Sequence, residues 1–155
     1  MTIDPVTLQI LANHCAAATE SMAHTLVRTA HSTFVKETED FTTGLSTVDG
    51  KTFASPFDLG ATWFVGLDYE AAINMIDVYE EGDLCLTNDP YSGFVCTHTP
   101  DVHLWLPIFH QGELICFAAG GLNVLQSFLK AINNRLDLKL FLSSVKTIIL
   151  GINMI

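Results

Sequence analysis

Apolar positions recur at helical spacing from the start of the chain. Leu8, Leu11, Cys15, Ala18, Met22 and Leu26 fall on one stripe, with Thr25 and Thr29 beside them. A 3.6-residue period sustained this long predicts an amphipathic helix reaching about Ala30. Asp4-Pro5 opens it well. A carboxylate there caps free amides, and proline at the first helical position gives up an amide that has no helical partner anyway. His14 and His24 lie on or beside the stripe and read as helix-surface residues.

Beyond the helix the period changes. Phe41 to Val48 and Lys51 to Ala54 are strand-like runs separated by Asp49-Gly50, a dipeptide that favours a tight hairpin. The acidic run Lys36-Glu37-Thr38-Glu39-Asp40 before it reads as a solvated loop, and Ser55-Pro56 closes the unit. A second helix is predicted over 67–79, with Ala71, Ala72, Met75, Ile76 and Tyr79 along one side. Glu80-Glu81-Gly82-Asp83 turns into a short strand, 84–87. Two further strands, 102–109 and 114–119, are joined by His110-Gln111-Gly112-Glu113 as a second hairpin. Helix, hairpin, helix, strand, loop and hairpin in that order predict an α+β fold with antiparallel pairs, not a doubly wound sheet.

Composition narrows the function. The 155 residues are 49% apolar and only 15% charged, enough for a core and suggestive of burial against another surface. A net charge of −10 argues against nucleic acid and anionic membranes, which both need clustered Lys and Arg. The N-terminus has no basic, apolar leader pattern, and no run of eighteen apolar residues occurs. Cys15, Cys85, Cys96 and Cys116 show no C-x-x-C spacing and read as reduced thiols of a cytoplasmic protein. The charge is uneven. Residues 1–120 carry sixteen acids and three bases, whereas 121–155 carry one acid and four bases.

The densest chemistry lies between two prolines. Asn88-Asp89-Pro90-Tyr91-Ser92-Gly93 is followed by Thr97-His98-Thr99-Pro100-Asp101. Each proline pushes the residue before it out of the helical region, and Gly93 permits a reversal. His98 and Asp101 therefore sit on a loop at the mouth of a strand, and His103 follows on the face that Asp101 shares. Imidazole nitrogen plus carboxylate oxygen are donors that Mn, Zn or Fe accept. The plainer reading is a hydrogen bond between His98 and Asp101 that steadies the loop.

Whole segments then resemble the hydantoinase B/5-oxoprolinase family. These are Arg28-Thr29-Ala30-His31-Ser32, Lys36-Glu37-Thr38-Glu39-Asp40-Phe41, the Asp49-Gly50 turn and, above all, Asn88-Asp89-Pro90-Tyr91 with Thr97-His98-Thr99-Pro100-Asp101. The family includes the B-type subunits of ATP-dependent hydantoinases, one half of 5-oxoprolinase, and the corresponding subunits of acetone and acetophenone carboxylases. The resemblance covers about residues 3–119, the N-terminal portion of a larger mixed domain. It implies a hetero-oligomer in which an A-type (hydantoinase A-like) subunit uses ATP to activate a small-molecule cyclic amide or ketone, and the B-type subunit completes hydrolysis or carboxylation. It implies a divalent metal held by His98 and Asp101, with His103 as a substitute ligand and Asn88 and Asp89 shaping the loop. No phosphate-binding glycine loop occurs in this chain, which fits an ATP site on the partner.

The chain also departs from the family pattern. A histidine-containing segment of the G-H-x-H type, source of a third ligand, is expected just after the second hairpin. Gly120-Gly121-Leu122-Asn123-Val124-Leu125 stands there instead, and no histidine follows His110. Together with the change in composition, this leads us to expect a truncated or frame-shifted 120–155 segment and a polypeptide inactive alone. A different class stays open. The apolar tail, with Leu125, Phe128, Leu129, Ile132 and Leu136 at helical spacing, would then be a docking helix of a non-catalytic assembly module. A gene remnant of poor solubility is the third reading.

Overall fold

The first helix forms where its cap predicts. In the computed structural model, which describes residues 3–30, 33–60, 66–92 and 95–123, α1 runs Pro5–Thr29. The Asp4 carboxylate accepts from the amides of Val6 and Thr7 at 3.0 and 3.1 Å. Its buried residues (Ala16, Ala18, Thr19, Met22, Ala23 and Thr25) all lie in the later part of the helix. Val6 and Leu8 stay exposed. The apolar stripe is therefore buried only from about Cys15 onward. Among the described residues no helix is long and apolar enough to cross a membrane.

A short α2 (Thr33–Glu37) leads into β1 (Phe41–Ser46) and β2 (Thr52–Ala54), the predicted hairpin. Gly50 in its turn has φ +89°, and a Cβ there would lie 2.3 Å from the Glu70 nitrogen. Only glycine fits both demands. Then come α3 (Glu70–Ile73), β3 (Cys85–Thr87), β4 (Asp101–His110) and β5 (Glu113–Asn123). The five strands form one antiparallel sheet in the order β2-β1-β5-β4-β3. This is the α+β arrangement that the element order implies.

The β4–β5 hairpin turns at Gln111 (φ 51°) and Gly112 (φ 83°), the double left-handed pair of a twist-compatible two-residue turn. β5 outlasts the predicted end at Ala119. Gly120 and Gly121 pair with Thr43 and Thr42 of β1 on one side and with Leu104 and His103 of β4 on the other, and Asn123 stands opposite Asp101. The expected change of character near residue 120 thus falls inside a strand. Residues 124–155, including the apolar spacing from Leu125 to Leu136, lie outside the described residues.

Both faces of the sheet are covered. Val102, Leu104, Leu106 and Ile108 pack with Met22 and Ala23 of α1 on one face. Trp105, Phe117 and Ala119 pack against Tyr69, Ala72, Ile73 and Val95 on the other. Strand β4 is consequently buried without a break from Asp101 to Ile108.

The helix predicted over 67–79 is much shorter than expected. After Ile73 the amides of Met75 and Ile76 bond back three residues, to Ala72 and Ile73. Met75 and Val78 face solvent. The cause is tertiary. Trp105 Nε1 donates to the Tyr79 hydroxyl at 2.9 Å, which donates to the Ile73 carbonyl at 2.8 Å. The Tyr79 ring meets Phe117 edge-on with centroids 4.9 Å apart. Holding Tyr79 against the sheet folds 74–79 back, and the apolar spacing that resembles a helix serves this return instead.

Candidate functional site

The loop between β3 and β4 is built from its own side chains. The Asp89 carboxylate accepts from the Tyr91 amide at 2.8 Å and the Ser92 hydroxyl at 2.5 Å. The Ser92 hydroxyl and Tyr91 amide hold its pKa below the ordinary carboxylate value. Asn88 Nδ2 donates across the loop to the Thr99 carbonyl at 3.2 Å. Asn88 thus ties the two ends of the loop together while Asp89 braces its first turn, and the strand begins at Asp101 with its amide bonded to the His98 carbonyl at 3.0 Å.

That turn brings His98 and Asp101 together. His98 Nδ1 lies 3.1 Å from Asp101 Oδ2, with the imidazole 51% exposed and the carboxylate only 8%. Thr97 joins them: its hydroxyl donates to Asp101 Oδ2 at 2.9 Å and lies 2.9 Å from His98 Nδ1. One carboxylate oxygen, one ring nitrogen and one hydroxyl thus form a triangle.

His103 does not join this group. It is 1% exposed, its Nδ1 lies 3.1 Å from the Tyr69 hydroxyl, and it occupies the space left by the missing side chain of Gly121. A Cβ on that glycine would sit 2.7 Å from His103 Cε1. Burial lowers the imidazole pKa to about 4, and burial drives the Tyr69 hydroxyl upward, with Cys96 a smaller cause. Cys96 is buried too, its thiol donating to the Thr87 carbonyl at 3.3 Å, and burial raises its pKa. It packs the base of the loop and is not a nucleophile presented to the pair.

The donor set can be judged for a metal. Imidazole nitrogen and carboxylate oxygen suit a borderline or hard divalent ion, so His98 and Asp101 fit as part of a ligand set. Among the described residues no cluster of three or more His, Cys, Asp or Glu could hold an ion. An apolar groove of about 530 Å³ lies elsewhere, between α1 and β2 and lined by Leu8, Leu11, Cys15, Phe53 and Phe57. Its lining is mostly apolar, with Thr52 and Ser55 as its hydroxyl-bearing residues. Sequence reasoning missed Thr97 and Tyr69 as members of these two clusters. Thr97 was detectable as the residue preceding His98, whereas nothing local marks Tyr69, thirty-four positions before its partner.

Comparison with known proteins agrees with the loop motif. A family model described as hydantoinase B/oxoprolinase matches residues 4–124. The B-type subunit of a D-/L-hydantoinase from Pseudomonas sp. (strain NS671) is 31% identical over 123 residues, covering 75% of this chain and 20% of that protein. A 5-oxoprolinase of Dictyostelium discoideum is 29% identical over 121 residues, covering 76% of this chain and 9% of that protein. Among solved structures, nucleotide-free acetone carboxylase superposes with a TM-score of 0.63 at 20% identity, over 79% of this chain and 16% of that one. The chain thus spans a fifth or less of each of these proteins.

Proposed function

Because this chain belongs to the hydantoinase B/oxoprolinase family, we propose that it serves ATP-dependent hydrolysis of a cyclic amide of the hydantoin or 5-oxoproline type. It does so in the cytoplasm beside an A-type subunit that uses the ATP. The observation that carries this reading is the His98–Asp101 pair, held at 3.1 Å on a self-braced loop with the imidazole open to solvent. In the proposed sequence the partner phosphorylates the amide oxygen, water adds to the activated carbon, the tetrahedral carbon expels the ring nitrogen as an amine to leave an acyl phosphate, and a second water releases phosphate and the carboxylate. His98 and Asp101 are the residues of this chain that would hold a divalent ion (Mn, Zn or Fe), with further donors from outside the described residues. When bound, such an ion polarises an oxygen or lowers the pKa of water. In this reading the chain does not turn over alone, because activation by ATP lies on the A-type subunit.

A second reading, ketone carboxylation, draws on the fold shared with acetone carboxylase and on Phe94-Val95-Cys96, which stands where many family members have a second glycine. The test supplies an A-type subunit, ATP and either a cyclic amide or a ketone with bicarbonate. It follows phosphate release and product, comparing the native chain with His98→Ala. Ring opening that needs His98 supports the first reading, and carboxylation the second. Turnover of neither substrate, with a stable complex still formed, would leave only an assembly role.

A further inference from the structure

Apolar side chains that the core does not use gather on one flank of the molecule. The groove between α1 and β2, about 530 Å³ in volume, is walled by Leu8, Leu11 and Cys15 of the helix and by Phe53 and Phe57 opposite them. Leu8 and Phe53 are at least half exposed, and Phe57 is 75% exposed. Large apolar side chains left together in water mark a surface that something else covers. The groove is also framed in advance. The Phe57 amide donates to Glu20 Oε2 of α1 at 3.0 Å, which ties the wall after β2 to the helix.

An occupant must be apolar along one side and basic beside it, because Glu20 and Asp58 stand at the Phe57 wall and residues 1–120 carry sixteen acids against three bases. Residues 124–155 meet both demands in their sequence. Leu125, Phe128, Leu129, Ile132 and Leu136 fall at helical spacing, with Lys130, Arg135 and Lys139 among and after them. They also begin within reach. Asn123 ends β5 opposite Asp101, whereas Thr52 of β2 pairs with Ser46, which lies opposite Phe117. The gap from Asn123 to β2 is therefore about 20 Å along the strands and about 10 Å across them. Twelve residues of helix over 125–136 would span about 18 Å, close to that gap. We infer that the 125–136 segment folds back along α1 and lays its apolar stripe in the groove, its bases beside Glu20 and Asp58. This is the helix-in-groove mode of recognition, here within one chain. A segment tethered so close has an effective concentration on the order of millimolar, which a second copy in dilute solution does not match. The inference is independent of the chemistry at the 88–101 loop.

The test asks the groove what fills it. A photoreactive benzophenone side chain replaces Phe57 in the full chain, at an exposed position that leaves the core alone. An equal mixture of ¹⁴N- and ¹⁵N-labelled chains is irradiated, digested and read by mass spectrometry. The expected crosslinks join position 57 to peptides from 125–139, with both halves always carrying the same isotope. Leu129→Glu combined with Ile132→Glu should abolish those crosslinks and speed alkylation of Cys15 in the groove wall. Lys130→Glu with Arg135→Glu should lower the crosslink yield by less. Mixed-isotope crosslinks would put a second copy in the groove and overturn the inference. So would a map in which no crosslink reaches 125–139, or a double variant whose crosslinks match those of the native segment.

Discussion

Two histidines five residues apart have opposite fates here. His98 sits on a loop, half in water, with a carboxylate and a hydroxyl at one of its ring nitrogens. His103 lies within the strand that follows, 1% exposed, against Tyr69 and the bare backbone of Gly121. The first is placed by neighbours within four residues in sequence, and the second by residues eighteen and thirty-four positions away. What separates them is who supplies the partners. A local network can leave one face of a side chain free for chemistry, whereas enclosure by distant segments leaves none. His98 is available to a ligand and His103 has become part of the core.

The largest expected break in this contrast is Gly121→Ala. The added Cβ would lie within 2.7 to 3.0 Å of three His103 ring atoms, in a sheet with no room to yield. It should destabilise the chain by about 3 kcal/mol, the upper range for overpacking, as read from urea unfolding. Of similar size is the effect of acid. His103 is held neutral by burial, with a pKa of about 4 against an ordinary 6.5. Between those values the unfolded chain binds the extra proton and the folded chain does not. Stability is therefore complete above pH 6.5, falls as pH drops toward 4, and loses on the order of 3 kcal/mol from this group. Tyr69, whose hydroxyl lies 3.1 Å from the ring, is neutral across that window. Unfolding measured across the window should show this slope, and the His103 ring signal should titrate near its lower end.

Tyr69→Phe is the finer probe of the buried histidine. It keeps the ring and strips the hydroxyl from His103 Nδ1, at a cost of roughly 1–2 kcal/mol for a buried polar atom losing its partner. His98→Ala should be smallest in stability, within about 0.5 kcal/mol for an exposed loop residue. It should nonetheless abolish divalent ion uptake measured by calorimetry. A large stability loss there would erase the distinction between the two histidines.

Much of this was legible from short-range pattern. Asp4-Pro5, the Asp49-Gly50 turn and the β4–β5 hairpin each rest on chemistry contained in a few consecutive residues, and each forms where the sequence indicates. The meeting of His98 with Asp101 is of the same kind, a turn between prolines. What could not be read depends on packing. The helix expected over 67–79 gives way to α3 (Glu70–Ile73), because Trp105 and Phe117 capture Tyr79 and no spacing within 67–79 reveals them. His103 reads as a ligand from its place two residues after Asp101. Only the register that sets it opposite Gly121 and beneath Tyr69 shows why it is enclosed.

Strand β4 has no outside. Buried on both faces from Asp101 to Ile108, it breaks the usual rule of a sheet in which every second residue is free to vary. A saturation library over these eight positions should therefore show no two-residue rhythm of tolerance. Polar replacements would be rejected at odd and even sites alike, and drift among related sequences would be confined to Phe109 and His110 at the end of the strand.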